Sequence, residues 1–128
     1  MFWEQFYKLC VLKNIAPNTV CKELALSNAT ATHWKNGKLP GSDTLTKIAD
    51  YFNCPTDYLL GRGIFQNWDK IMENKLLIFS YLHYQFGKKF TDQIVKLTEI
   101  DLMRWFDAFI KEVRIIDDDI EIEFRINT

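Results

Sequence analysis

Through the first sixty residues, apolar positions recur at three- and four-residue intervals in short segments, each bounded by a residue that starts or stops a helix. Phe2, Phe6, Leu9 and Val11-Leu12 predict a first helix from about Phe2 to Lys13. Pro17 suits a first helical position, and Val20, Cys21 and Leu24 give a second helix, Pro17 to Leu24, its inward face. Ser27 is the N-cap expected for a third helix, Asn28 to Trp34, which Asn36-Gly37 closes. Ser42 is expected to cap a fourth with Leu45, Ile48, Ala49 and Phe52 inside, and Pro55 to Leu60 makes a fifth, ended by Gly61. Residues 1–63 therefore predict a five-helix domain, with Gly61-Arg62-Gly63 as the boundary.

The pattern changes in residues 64–128. Phe65, Trp68, Met72, Leu76, Phe79, Leu82 and Phe86 form a stripe that predicts one long amphipathic helix, about Asn67 to Phe86, stopped by Gly87. Thr98-Glu-Ile-Asp101 reads as a capping box for another helix with Leu102, Phe106, Phe109, Ile110 and Val113 on one face. Ile120, Ile122, Phe124 and Ile126 then alternate with Glu121, Glu123 and Arg125, the period of a half-buried strand. Arg114 to Ile116 is the expected hairpin partner. A lone hairpin is marginal in water, so it must pack on those helices or on a second chain. The fold expected is mainly α: a five-helix N-terminal domain and a small α+β C-terminal domain.

Hydrophobic residues make up 48% of the 128 residues and aromatics 15%, ample for a core. No apolar run reaches the roughly 18 to 20 residues of a membrane span, and the N-terminus lacks a signal-peptide pattern, so the expected location is the cytoplasm. Cys10, Cys21 and Cys54 have no C-x-x-C spacing and fall on apolar faces, and His33 and His83 lie far apart. Buried reduced thiols are expected, with no metal and no cofactor. The net charge of −1 divides into +2 through Gly63 and −3 beyond it, which makes the N-terminal half the only expected nucleic-acid surface and a weak one as a monomer.

The strings ELALSNATATHWKNGKLP (Glu23 to Pro40) and TLTKIADYFNCPTDYLLGR (Thr44 to Arg62) resemble the lambda-repressor and Cro-like, or XRE-type, helix-turn-helix family over residues 13–62. The resemblance implies that Pro17 to Leu24 is a positioning helix and Asn28 to Trp34 a recognition helix, with Cys21, Ala31 and Trp34 wedged between them. It implies that Asn28, Ala29, Thr30, Thr32 and His33 face base edges and that Asn18, Thr19, Lys35, Asn36 and Lys38 meet phosphates. Asn28 could pair in bidentate fashion with adenine, and the lysines would supply the sequence-independent, salt-dependent part of affinity. Two departures stand out: Ala16-Pro17 replaces the usual serine-glutamine pair, and Ala25 replaces the glycine of the turn, where positive φ strains a residue with a Cβ.

These features point to a transcriptional regulator, a repressor that binds a palindromic double-stranded operator as a homodimer. Phe65, Trp68, Met72, Phe79, Ile122 and Phe124 are the expected dimer or partner interface. The alternative is an autoregulated phage-type inhibitor, like some anti-CRISPR proteins, whose acidic C-terminal domain binds a protein. Leu97 to Ile126 also looks locally like the helix-plus-strands tail of some large serine recombinases, without a catalytic residue. Asp117-Asp118-Asp119 reads as a solvated turn rather than a metal site. His33 is open between base and backbone contact. No nucleophile, phosphate loop or acid pair is arranged for catalysis, so an enzyme is not expected.

Overall fold

The computed structural model describes residues 2–125, and its contacts cluster into two compact units, Met1–Gly61 and Arg62–Thr128. The division falls two residues before the one expected. The described chain is mainly helical, with one antiparallel hairpin near its C-terminus. No helix among the described residues is long and apolar enough to cross a membrane.

The first unit contains α1 (Phe2–Leu12), α2 (Pro17–Glu23), α3 (Thr30–Lys35), α4 (Ser42–Phe52) and α5 (Thr56–Leu60). Phe2, Phe6, Leu9 and Cys10 bury the inner face of α1, and Val20, Ile48, Phe52 and Leu59 close around it. Trp34 joins this core from α3, meeting Phe2 and Phe6 edge-on at centroid distances of 5.3 and 5.2 Å. Four of the helices end alike. A residue with positive φ, namely Asn14, Ala25, Gly37 or Asn53, turns the chain. The next amide then bonds to the carbonyl five residues back, at Cys10, Cys21, His33 and Ala49, over 2.8 to 3.0 Å. This closure satisfies carbonyls that a bare helix end leaves unpaired and reverses the chain within a few residues.

Several expected boundaries are corrected. The third helix begins at Thr30, not Asn28. Asn28 and Ala29 form a turn in which the Thr30 amide donates to the Ser27 carbonyl, and the Ser27 hydroxyl meets the Thr30 hydroxyl at 2.9 Å instead of capping the backbone. Ser42 is the first residue of its helix, with Gly41 at the cap, and Pro55 caps the fifth helix from outside.

The second unit opens with a 3-10 turn (Gly63–Asn67), followed by α6 (Trp68–Glu73), α7 (Lys75–Phe86), α8 (Lys88–Ile94), α9 (Glu99–Phe109), β1 (Ile110–Ile116) and β2 (Asp119–Phe124). The expected single helix is therefore broken at Asn74. Its side-chain amide donates to the Lys70 carbonyl at 2.8 Å, and its backbone amide reaches both Lys70 and Ile71 carbonyls at 3.2 and 3.1 Å. Asparagine competes in this way with the regular helical ladder. Gly87, at φ +90°, turns the chain into α8, which the apolar pattern did not predict.

Thr98 caps α9 as expected, its hydroxyl accepting from the Asp101 amide at 3.2 Å. The strand β1 follows α9 directly and starts four residues earlier than expected. Val113 pairs with Ile122 and Ile115 with Ile120 across a turn at Asp117-Asp118. Ile126, expected in the second strand, lies outside the described residues. Trp68 is the centre of this core: it meets Phe106 perpendicularly at 5.3 Å, and its indole nitrogen donates to Glu99 at 3.0 Å. Ile71, Ile78, Leu82, Met103 and Ile110 are also buried in this unit.

Candidate nucleic-acid interface

The segment from Ala16 to Lys38 is two short helices at either end of a strained turn. Ala16 is extended and Pro17 occupies the first turn of α2, so no side chain caps this end. At the other end Ala25 sits at φ +59°, held by bonds from its own amide to Lys22 and from Leu26 to Cys21. That conformation costs a residue with a Cβ about 1 to 2 kcal/mol. Burial supplies the compensation, because Val20 and Cys21 from α2 and Ala31 and Trp34 from α3 are all inside. The angle between α2 and α3 is thus set by packing.

The outer side is polar. Asn18, Thr19, Asn28, Ala29, Thr32, His33, Lys35, Asn36 and Lys38 are exposed, while Thr30 is half-buried with its hydroxyl engaged by Ser27. Asn18, Thr32 and Lys35 line an open groove of about 290 Å³ together with Trp3, Tyr7, Ala16, Pro17 and Ala31. Asn28 and Ala29 stand apart from it in the turn, and Lys38 lies beyond the C-terminal end of α3. Trp3 and Tyr7 were missed by sequence reasoning because only tertiary packing brings α1 beside residues 16–35.

Glu23, the last residue of α2, and Asp43, in the first turn of α4, bound a stretch that holds no carboxylate, residues 24–42. Glu23 is tied back to α4, accepting a hydrogen bond from the Tyr51 hydroxyl, which holds the phenol above its ordinary pKa. Burial pushes the Cys10 thiol up to about 11 and Cys54 up to about 12, and raises Cys21 as well. All three are free thiols, protonated near neutral pH and poor nucleophiles there. Among the described residues no three His, Cys, Asp or Glu side chains converge to hold a metal ion.

The expected interface residues in the second unit are placed differently. Phe65, Trp68 and Ile122 are buried in that unit's own core and offer no surface to a partner. Met72, Phe79 and Phe124 are half-buried, and the Phe124 ring meets Phe86 edge-on at 5.5 Å. Of the expected stripe, Leu82 is buried as well, whereas Leu76 and Phe86 stay exposed. The other large apolar side chains left outside in this unit are Leu77, Tyr84, Val95, Phe109 and Ile116. No family model, curated protein or solved structure matches this chain.

Proposed function

We propose that the chain is a sequence-specific DNA-binding transcriptional regulator, a repressor whose residues 17–35 act as a lambda-repressor-like helix-turn-helix and which binds a palindromic operator as a homodimer. One observation carries the reading. A short helix is anchored from behind by Ala31 and Trp34 and turns Thr32, His33 and Lys35 to solvent, in a stretch with no carboxylate. Such a surface can enter a major groove without repelling phosphates, with short polar side chains toward base edges and lysines toward the backbone. Thr32 and Asn18 flank the same groove, so α2 and α3 would contact one stretch of duplex together.

The test begins with selection of bound duplexes from a random pool, followed by titration at several salt concentrations. Thr32→Ala is expected to weaken the selected duplex by about 1 to 3 kcal/mol and leave random duplex nearly unchanged. Lys35→Ala is expected to weaken both and to lower the salt slope by about one. A chain that enriches no sequence and binds duplex with no salt dependence is not such a regulator.

A second reading, a protein inhibitor of the anti-CRISPR kind, draws on the hairpin. Glu112, Asp117, Asp118, Asp119 and Glu121 are exposed there, and Arg114 bonds Glu112 and Glu121 at 2.9 and 3.0 Å. This acid-rich edge is suited to a basic groove on a nucleic-acid enzyme. Loss of partner capture on reversing Asp117 to Asp119 to lysine, with DNA binding intact, would separate it from the first.

A further inference from the structure

We propose that the outer face of α7 pairs antiparallel with the same face of a second copy of this chain, about a two-fold axis passing at Ser80. The inner side of α7 is satisfied by Ile78 and Leu82, both buried. Its opposite side is not: Leu76 is 79% exposed and Tyr84 87%, with Leu77, Ser80 and His83 between them also exposed. Apolar side chains gathered on one face mark an interaction surface.

The pattern of this face selects a copy of itself. Leu76, Ser80 and Tyr84 are spaced by four, forming one ridge of the helix surface with its smallest member in the middle. In an antiparallel pair centred on Ser80, Leu76 of each chain meets Tyr84 of the other, Leu77 meets His83, and the two serines meet at the crossing. Small residues there allow the axes to approach to about 8 Å, the close end of helix packing. Every contact is then made twice, as a two-fold interface requires.

Charge agrees. Between Lys75 and Lys88 there is no acidic or basic residue other than His83, so identical faces meet without repulsion. At the flanks, Glu73 lies just before Lys75, and Lys89 follows Lys88, whose ammonium is held by its own Asp92 at 2.8 Å; the antiparallel alignment brings the exposed Glu73 of one chain toward the exposed Lys89 of the other. The acid-rich hairpin, by contrast, would repel its own copy.

This pairing supplies the homodimer of the DNA-binding proposal and rests on that reading for its purpose, yet it is measured without DNA. The full chain, sized by sedimentation at micromolar concentration, is expected at twice the single-chain mass. Ser80→Glu sets two carboxylates face to face and is expected to weaken association by about a hundredfold or more, with unchanged far-ultraviolet dichroism. Ser80→Cys is expected to form an intermolecular disulfide under oxidised glutathione much faster than Gln85→Cys, an exposed position on another face, because the native thiols are buried.

A wild-type chain of single mass overturns the pairing, as does a Ser80→Glu variant that stays double. Were Ser80→Glu to unfold, equal cross-linking at positions 80 and 85 would overturn it instead. A monomer that still retards selected duplex DNA sinks the pairing alone. A dimer that retards none sinks the DNA reading alone.

Discussion

Ala25 is held at φ +59° by two backbone bonds, in a conformation that glycine adopts freely and alanine does not. Ala25→Gly would remove about 1 to 2 kcal/mol of strain and give back about 0.4 to 1 kcal/mol of unfolded-chain entropy. The expected net is a gain of roughly 0.5 to 1 kcal/mol, read as a higher urea midpoint at unchanged slope. A lower midpoint would mean that the turn carries no strain. The cysteines give a second expectation at this scale. Burial raises Cys54 from about 9 to about 12, so the folded state holds a proton that the unfolded chain releases. That stabilisation is fully present below about pH 9 and is lost as pH rises toward 12. Cys54→Ala is expected to flatten the fall of stability between pH 9 and 11 relative to wild type. Parallel curves for the two proteins would show that the thiol does not contribute.

At the level of elements, α9 is the helix whose start rests on one side chain. The Thr98 hydroxyl accepts from the Asp101 amide, and Trp68 reaches Glu99 in the first turn of the same helix. Thr98→Ala is expected to cost about 1 kcal/mol, within a range of about 0.5 to 2 for a lost cap, in a denaturant titration that follows tryptophan fluorescence. No change would mean that packing around Phe106 alone fixes the helix. This cap was legible in the sequence because its signal is local, and Ala31 and Trp34 were legible as inward positions from the resemblance. The break at Asn74 was hidden: Trp68, Met72, Leu76 and Phe79 keep helical spacing on both sides of it, so the apolar period runs through a point where one amide side chain interrupts the ladder. The helix α8 is only seven residues long and too short to display a period. The strand β1 continues from α9 without a turn residue to announce it. The groove beside α3 was unreadable for another reason, since Trp3 and Tyr7 join it from far along the chain.

In the whole molecule, the second unit is as large as the first. On the DNA-binding proposal, α3 spans only six residues, and the half of the chain that contains it has a net charge of +2 through Gly63. One such helix meets few base pairs and neutralises few phosphates, so a single copy would discriminate poorly. Two copies tied together convert the second contact into an intramolecular one, provided their recognition helices meet successive major grooves about 34 to 36 Å apart. Residues 1–61 have their own core around Phe6, Leu9, Ile48 and Leu59, and are expected to fold alone as a helical monomer. That fragment is expected to bind an isolated half-site as well as the full chain does. On a duplex with two correctly spaced half-sites it should be weaker by about 100-fold or more, which is the lower range of linkage gains. Lengthening the spacer by half a helical turn should remove the advantage of the full chain, because the second half-site then faces the opposite side of the duplex. Equal affinities for fragment and full chain on the paired site would show that the second unit does not link half-sites, and its acid-rich hairpin would then become the principal candidate for its purpose.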